Sequence, residues 1–139
     1  MIRILFVCHG NICRSVMAEY IFKNMVSGDE YYVESAAVSR EELGNDIYPP
    51  AKAALKAHGI PFGKHSARQI THDDYERFDQ IYVMDESNMR RTLNIFGSDP
   101  EGKVKMLLAR GIADPWYTGE FETTYNDIVE GCKKILKKS

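Results

Sequence analysis

The sequence predicts an α/β protein in three layers, with a central, mostly parallel four-stranded sheet and helices on both faces. Three observations carry this. Short apolar runs rich in β-branched residues alternate with longer segments of helical periodicity. The first run, Ile2 to Val7, is apolar at nearly every position, as a strand covered on both sides must be. Glycine and proline stand at the joints, and no repeat, linker or low-complexity tract interrupts the pattern. At 139 residues the chain has the size of a single domain, 1–139, able to bury about two thirds of its unfolded surface.

Taken in order, Ile2 to Val7 forms the first strand. From Ser15 the period changes: Met17, Ala18, Ile21, Phe22 and Met25 recur at helical spacing until Ser27-Gly28. Tyr31 to Val38 is the second strand, which completes a βαβ unit. A helix over Pro49 to His58 has prolines at its start and Gly59 past its end. The stretch SARQIT is extended or loop. Thr71, Asp73 and Asp74 mark a helix start, because carboxylates favour the positive end of the helix dipole. Gln80 to Met84 is the third strand. Asp85 caps a helix that runs to about Phe96 and stops at Gly97. Lys103 to Leu108 is the fourth strand. A last amphipathic helix spans Phe121 to Leu136, and the terminal KKILKKS reads as its solvated end.

Composition sets outer limits on function. Hydrophobic residues make up 44% and charged residues 27%, and the formal net charge is −2. That balance gives no reason to expect a nucleic-acid partner. No apolar run approaches the roughly 20 residues that span a bilayer, so no membrane partner is expected. The N-terminal stretch lacks the basic start, longer apolar core and small-residue cleavage site of an export signal, and cytoplasmic residence is the expectation. Three cysteines, an odd count, read first as free thiols in a reducing compartment.

The stretch LFVCHGNICRS, Leu5 to Ser15, carries the chemistry. Cys8 stands at the carboxyl end of a strand, where open α/β sheets bind ligands. The loop after it enters a helix N-terminus, whose free N–H groups favour an anion. Gly10 and Asn11 are residue types that tolerate positive φ, so the loop can curl and turn successive N–H groups inward. Arg14 offers a planar fork for two phosphate oxygens. Ser15 brings a hydroxyl within reach of the thiol. The same field favours the thiolate, and a nucleophile held against a tetrahedral oxyanion suits in-line attack of sulfur on phosphorus. No cofactor is called for. A metal site built from Cys8, His9 and Cys13 matches no usual zinc spacing, and no second Cys/His pair follows.

VCHGNICRS resembles the Cys-x5-Arg-Ser signature of the low-molecular-weight protein tyrosine phosphatases. The resemblance continues through SAA (Ser35 to Ala37), HGIP (His58 to Pro61), ARQIT (Ala67 to Thr71), MDESN (Met84 to Asn88) and DPWYTGEFETTY (Asp114 to Tyr125), in family order over nearly the whole chain. It implies that Cys8 is the nucleophile and forms a phosphocysteine. Arg14 binds the phosphate, Asp114 is the general acid and then base, and Ser15 helps the thiolate leave. Asn11 braces the loop, with Ser35 and His65 behind it. Pro115 restricts the backbone after Asp114. Trp116 and Tyr117 form one wall of the cleft, with His9 and Ile12 near the other, and Gly10 and Cys13 complete the loop. Aromatic walls suit a flat aryl ester, so the implied partner is a phosphotyrosine-containing protein or peptide, with inorganic phosphate as product.

Cys13 reads either as a packing residue or as the partner of Cys8 in a reversible disulfide, and the resemblance adds weight to the second. Cys132 reads as structural, and His58 and His72 as helix-end residues without chemistry. The segment from Leu107 to Asp114 is shorter than in mammalian members, and His9 stands where the family varies. A protein arginine phosphatase is the nearest alternative; there a threonine typically occupies the position of Ile12. A thiol-linked arsenate reductase needs further cysteines that DESNMRRTLN does not supply. A phosphate sensor would lack the nucleophile or the acid, and both are present.

Overall fold

The structure, a computed structural model, describes residues 1–138; Ser139, the end of the KKILKKS tail, lies outside the described residues. The strands are β1 (Ile2–Cys8), β2 (Tyr31–Ala37), β3 (Gln80–Val83) and β4 (Val104–Met106). They lie in the order β2-β1-β3-β4, and every pairing is parallel. The sheet is therefore all parallel rather than mostly so. The helices are α1 (Arg14–Met25), α2 (Pro49–Ala57), α3 (Asp74–Arg77), α4 (Glu86–Phe96), α5 (Pro115–Thr118) and α6 (Phe121–Lys138).

The alternation of a pleated strand divides the interior into two cores. Ile4, Phe6 and Cys8 of β1 point into one, and Leu5 and Val7 into the other. The first core receives α1, α2 and α6 through Val16, Met17, Ile21, Phe22, Leu55, Ile128, Cys132 and Ile135. The second receives Tyr75 of α3 and Phe96 of α4, together with Phe78. Helices thus cover both faces, and β1, central and buried on both sides, needs the continuous apolar run that its sequence shows. Helix α1 is buried around most of its surface, Arg14, Ser15 and Glu19 included. A helix this enclosed fixes the orientation of the loop that precedes it.

Strand and helix ends fall within one or two residues of their expected positions, with two corrections, at α3 and α5. The Thr71–Asp74 stretch opens only the four-residue α3, and Asp73, its N-cap residue, makes no side-chain cap. Asp74 instead turns inward, where it is fully buried. Its carboxylate accepts from the Thr71 N–H (2.8 Å) and pairs with Arg68 (2.9 Å) and Arg77 (2.9 Å). SARQIT, expected as extended or loop, is a loop with a single bridge to the sheet edge: the Ala37 N–H donates to the Arg68 carbonyl (2.7 Å) and the Ile70 N–H to the Ala37 carbonyl (2.8 Å). Helix α5 was not expected. Pro115 starts it, and Asp114 caps it by accepting from the Trp116 N–H at 3.0 Å. Asp85 caps α4 as its sequence requires, accepting from the Asn88 N–H at 2.7 Å, and Gly97 ends that helix at φ +84°. No helix among the described residues is long and apolar enough to cross a membrane.

Two stability predictions follow from packing and charge. A Cβ on Gly131 of α6 would lie 2.5 Å from the Leu107 Cγ and 3.1 Å from its carbonyl oxygen. Gly131→Ala should therefore destabilise the protein by about 1–2 kcal/mol in denaturant unfolding, because overpacking outweighs the gain of about 1 kcal/mol in helix propensity. Burial pushes the Asp74 carboxyl up, but the bond from Arg68, the Thr71 N–H and the Arg68 and Arg77 charges prevail and hold it below the usual carboxylate range. Its contribution is complete above an unfolded value of about 3.9 and fades as pH falls through the lower folded value. Asp74→Asn should cost roughly 2 kcal/mol at pH 7, and that gap should narrow below about pH 4.

Candidate active site

The loop from Cys8 to Arg14 closes over the carboxyl end of β1, between β2 and β3. From its carboxyl end β1 leads through α1 to β2 on one side, while the neighbouring β3 leads through α4 to β4 on the other, so the crevice is built into the topology. Asn11 adopts φ +61°, the only non-glycine residue with positive φ among those described. Gly10 does not; it serves for space instead, since a Cβ there would meet the Glu42 Cγ at 3.3 Å. Cys13 is the N-cap residue of α1 and makes no side-chain cap, so the helix start keeps its N–H groups for other acceptors.

Cys8 is buried at the floor of the crevice. Its sulfur lies 3.1 Å from the Ser15 hydroxyl and accepts from the Asn11 N–H at 3.3 Å. Asn11 spends its whole side chain on the site. Its amide donates to the Ser15 Oγ (2.8 Å) and the Ser35 Oγ (2.9 Å), and its Oδ1 accepts from the Arg68 N–H (3.2 Å). The Ser15 oxygen accepts from both the Asn11 amide and the Cys8 thiol, and its own proton can turn to the sulfur once Cys8 is a thiolate. His65 donates from Nε2 to the Asn11 carbonyl at 2.6 Å. Ser35 in turn donates to Glu19 at 2.6 Å, and Lys23 pairs with the same carboxylate.

Arg14 is 2% exposed. Its Nη1 donates to Asp85 (2.7 Å) and to the Ile112 carbonyl (2.8 Å), and its Nη2 reaches Asp114 at 3.4 Å. Burial works against the charge, but the neighbouring Cys8 sulfur, Asp85 and Asp114 outweigh it and hold the guanidinium above its ordinary value. Its Nε is buried and has no hydrogen-bond partner among the described residues. A buried charge-bearing donor without an acceptor is costly, and a phosphoryl oxygen in the crevice would satisfy it.

One cleft is lined by Cys8, Ile12, Arg14, Asp114, Trp116 and Tyr117, and His9, Gly10 and Cys13 line it too. Trp116 packs at a tilt of 46° against Tyr48 with ring centroids 4.6 Å apart, while Tyr117 is 83% exposed at the mouth. Every residue expected at the site is thus brought to it, with Ser35 and His65 one step behind. Several others were not anticipated. Asp85 was expected only as a helix cap, yet its second oxygen holds Arg14; its place in MDESN, at a strand's carboxyl end, was the available signal. Glu19, Tyr48, Arg68 and the cleft-lining Glu41 and Glu42 carried no local signal.

The three cysteines are free thiols. Burial pushes the Cys13 thiol well up, and the nearby Cys8 and Asp114 add to this against the pull of Arg14. Burial alone does the same to Cys132, which packs in the first core. Among the described residues no three His, Cys, Asp or Glu side chains converge as a metal-ligand set.

The sequence model of the low molecular weight phosphotyrosine protein phosphatases matches residues 3–139. A chicken (Gallus gallus) low molecular weight phosphotyrosine protein phosphatase is 41% identical over 150 residues, covering 97% of this chain and 94% of its own. The crystal structure of SP-PTP, a low molecular weight protein tyrosine phosphatase from Streptococcus pyogenes, superposes with a TM-score of 0.96 at 37% identity, over 99% of this chain and 93% of that one. YfkJ from Bacillus subtilis superposes with a TM-score of 0.93 at 34% identity, over 99% and 94%. With a thiol, a buried arginine and a carboxylate meeting at the end of β1 in this fold, the chain belongs to the low molecular weight phosphotyrosine protein phosphatase family.

Proposed function

We propose that this protein is a metal-independent protein tyrosine phosphatase that works through a phosphocysteine. The observation that carries the reading is the convergence in one cleft of the buried Cys8 sulfur, the partnerless Nε of Arg14 and the Asp114 carboxyl from the opposite loop. The phosphoryl group docks on Arg14 and the loop N–H groups. The Cys8 thiolate attacks phosphorus as the bond to the aryl oxygen breaks, and Asp114 gives that oxygen its proton. Asp114 then takes a proton from water, which attacks phosphorus. The S–P bond breaks, inorganic phosphate leaves, and the Ser15 hydroxyl and Asn11 N–H receive the thiolate. Charge build-up on the equatorial oxygens is met by Arg14, already held in place by Asp85.

Depth and walls support an aryl substrate. The sulfur is buried, whereas Trp116 is 49% exposed above it, so the phosphorus must be carried down on a flat stem. Ile12 is an apolar lining residue packed with Cys13 and Ala67. It favours an aromatic ring over the polar guanidinium of phosphoarginine, the nearest rival substrate. Free thiols fit a reducing compartment, and cytoplasmic residence goes with the proposal.

The test is hydrolysis of p-nitrophenyl phosphate and of a phosphotyrosine peptide in excess EDTA. The native protein should turn over both, and Cys8→Ser neither. Asp114→Asn should lose about 10²–10³-fold in kcat on phosphotyrosine and less on p-nitrophenyl phosphate, whose better leaving group needs the proton less. Turnover that survives Cys8→Ser, or that vanishes with EDTA, would overturn the reading. Alkylation by iodoacetamide at pH 7, followed by mass spectrometry, should mark Cys8 alone in the folded protein. Inorganic phosphate should protect it, and Cys13 and Cys132 should become reactive only on unfolding.

A further inference from the structure

The mouth of the cleft is acidic on the side opposite the aromatic wall. Glu41 and Glu42 line the same cleft as Cys8 and Arg14. Neither hangs free. Arg91 of α4 donates to the His9 Nδ1 at 3.0 Å, which leaves the proton of that ring on Nε2; Nε2 donates to the Glu41 carboxylate at 2.7 Å. Glu42 accepts from the Asn45 amide at 2.9 Å, and its stem lies over Gly10. The two carboxylates are thus set in position, yet the Glu41 side chain remains 70% exposed and open to a partner. The Arg40 side chain, the neighbouring cation, does not line the cleft. The one cation that does is Arg14, whose guanidinium already meets two carboxylates from below.

We infer that Glu41 and Glu42 set substrate choice, so that the protein prefers phosphotyrosines flanked by lysine or arginine. The inference rests on the phosphatase reading of the same cleft. The partnerless Nε of Arg14 anchors the phosphoryl group at the floor. A peptide held there must lay the residues beside its phosphotyrosine across the rim, within a Debye length of both carboxylates. Basic neighbours are drawn in and acidic neighbours are repelled, because the two carboxylates outnumber Arg91, the one cation tied to His9 at the mouth. His9, directly after the nucleophile, is here a positioning residue: it transmits the hold of Arg91 to Glu41.

The experiment compares kcat/KM of the native protein on two phosphotyrosine peptides of equal length, one with lysines and one with glutamates on both sides. Rim ion pairs are individually weak, about two- to fivefold each, so the lysine peptide should win by about tenfold at low ionic strength. The ratio should shrink toward one in 0.5 M salt. Glu41→Gln combined with Glu42→Gln should bring it near one without salt, and Glu41→Lys should reverse it. A native ratio of one, or a ratio unmoved by the double substitution, overturns the inference. Hydrolysis of p-nitrophenyl phosphate separates the two levels. If it proceeds while the peptides are used equally, only the rim assignment falls; if neither it nor the peptides are hydrolysed, the phosphatase reading falls as well.

Discussion

The structure turns on the burial of one arginine. A guanidinium taken out of water at the start of α1 is unaffordable alone, and compensation has to come from several directions. Asp85 arrives from the end of β3, and the Ile112 carbonyl and Asp114 arrive from the loop after β4. The three segments are thereby drawn to one point at the carboxyl end of the sheet. The same contacts make Arg14 rigid before any ligand binds, so little reorganisation is left for the moment of reaction. They also leave Nε over, and a phosphoryl oxygen is the acceptor that this donor lacks.

Asn11 is the second fixed point. Its left-handed backbone costs little for an asparagine, and it lets one residue offer N–H, carbonyl, Oδ1 and both amide hydrogens to five different partners. Those partners come from the loop itself, α1, β2, His65 and the SARQIT segment that follows it, which is held against the sheet edge and anchored by the buried Asp74 cluster. The buried ion cluster and the geometry of the site are therefore linked through one residue: Arg68 gives its backbone N–H to Asn11 and its guanidinium to Asp74. The apolar cores on either side of β1 provide the stiffness against which this polar seam is set, because close-packed layers move little.

In the proposed function the aromatic and acidic sides of the cleft divide the work of recognition. Trp116 and Tyr117 ride on α5, a single turn that Asp114 itself caps, so the Asp114 carboxyl and the aromatic wall are placed by one local structure. Across the mouth, Glu41 and Glu42 stand on a loop tied back through His9 to α4. The floor is suited to the phosphoryl group and the wall to the ring. The rim meets what lies beside them in the substrate chain.

The sequence by itself determined what depends on near neighbours. Alternation and helical periodicity place the strands and longer helices, and Cys8, Asn11, Arg14 and Ser15 are close enough along the chain that residue type alone implies an anion loop before a helix. Resemblance added Asp114, Ser35 and His65, which no local pattern would have connected to it. Tertiary structure decided the remainder. The partners of Arg14 lie 71, 98 and 100 residues away, and only the order β2-β1-β3-β4 brings them together. The inward turn of Asp74 against the pull of the helix dipole, the role of Gly10 as space beneath Glu42, and the His9–Glu41 contact are of the same kind. Each is a choice between two local states of similar energy, and packing against a distant segment, which leaves no trace in local spacing, settles it.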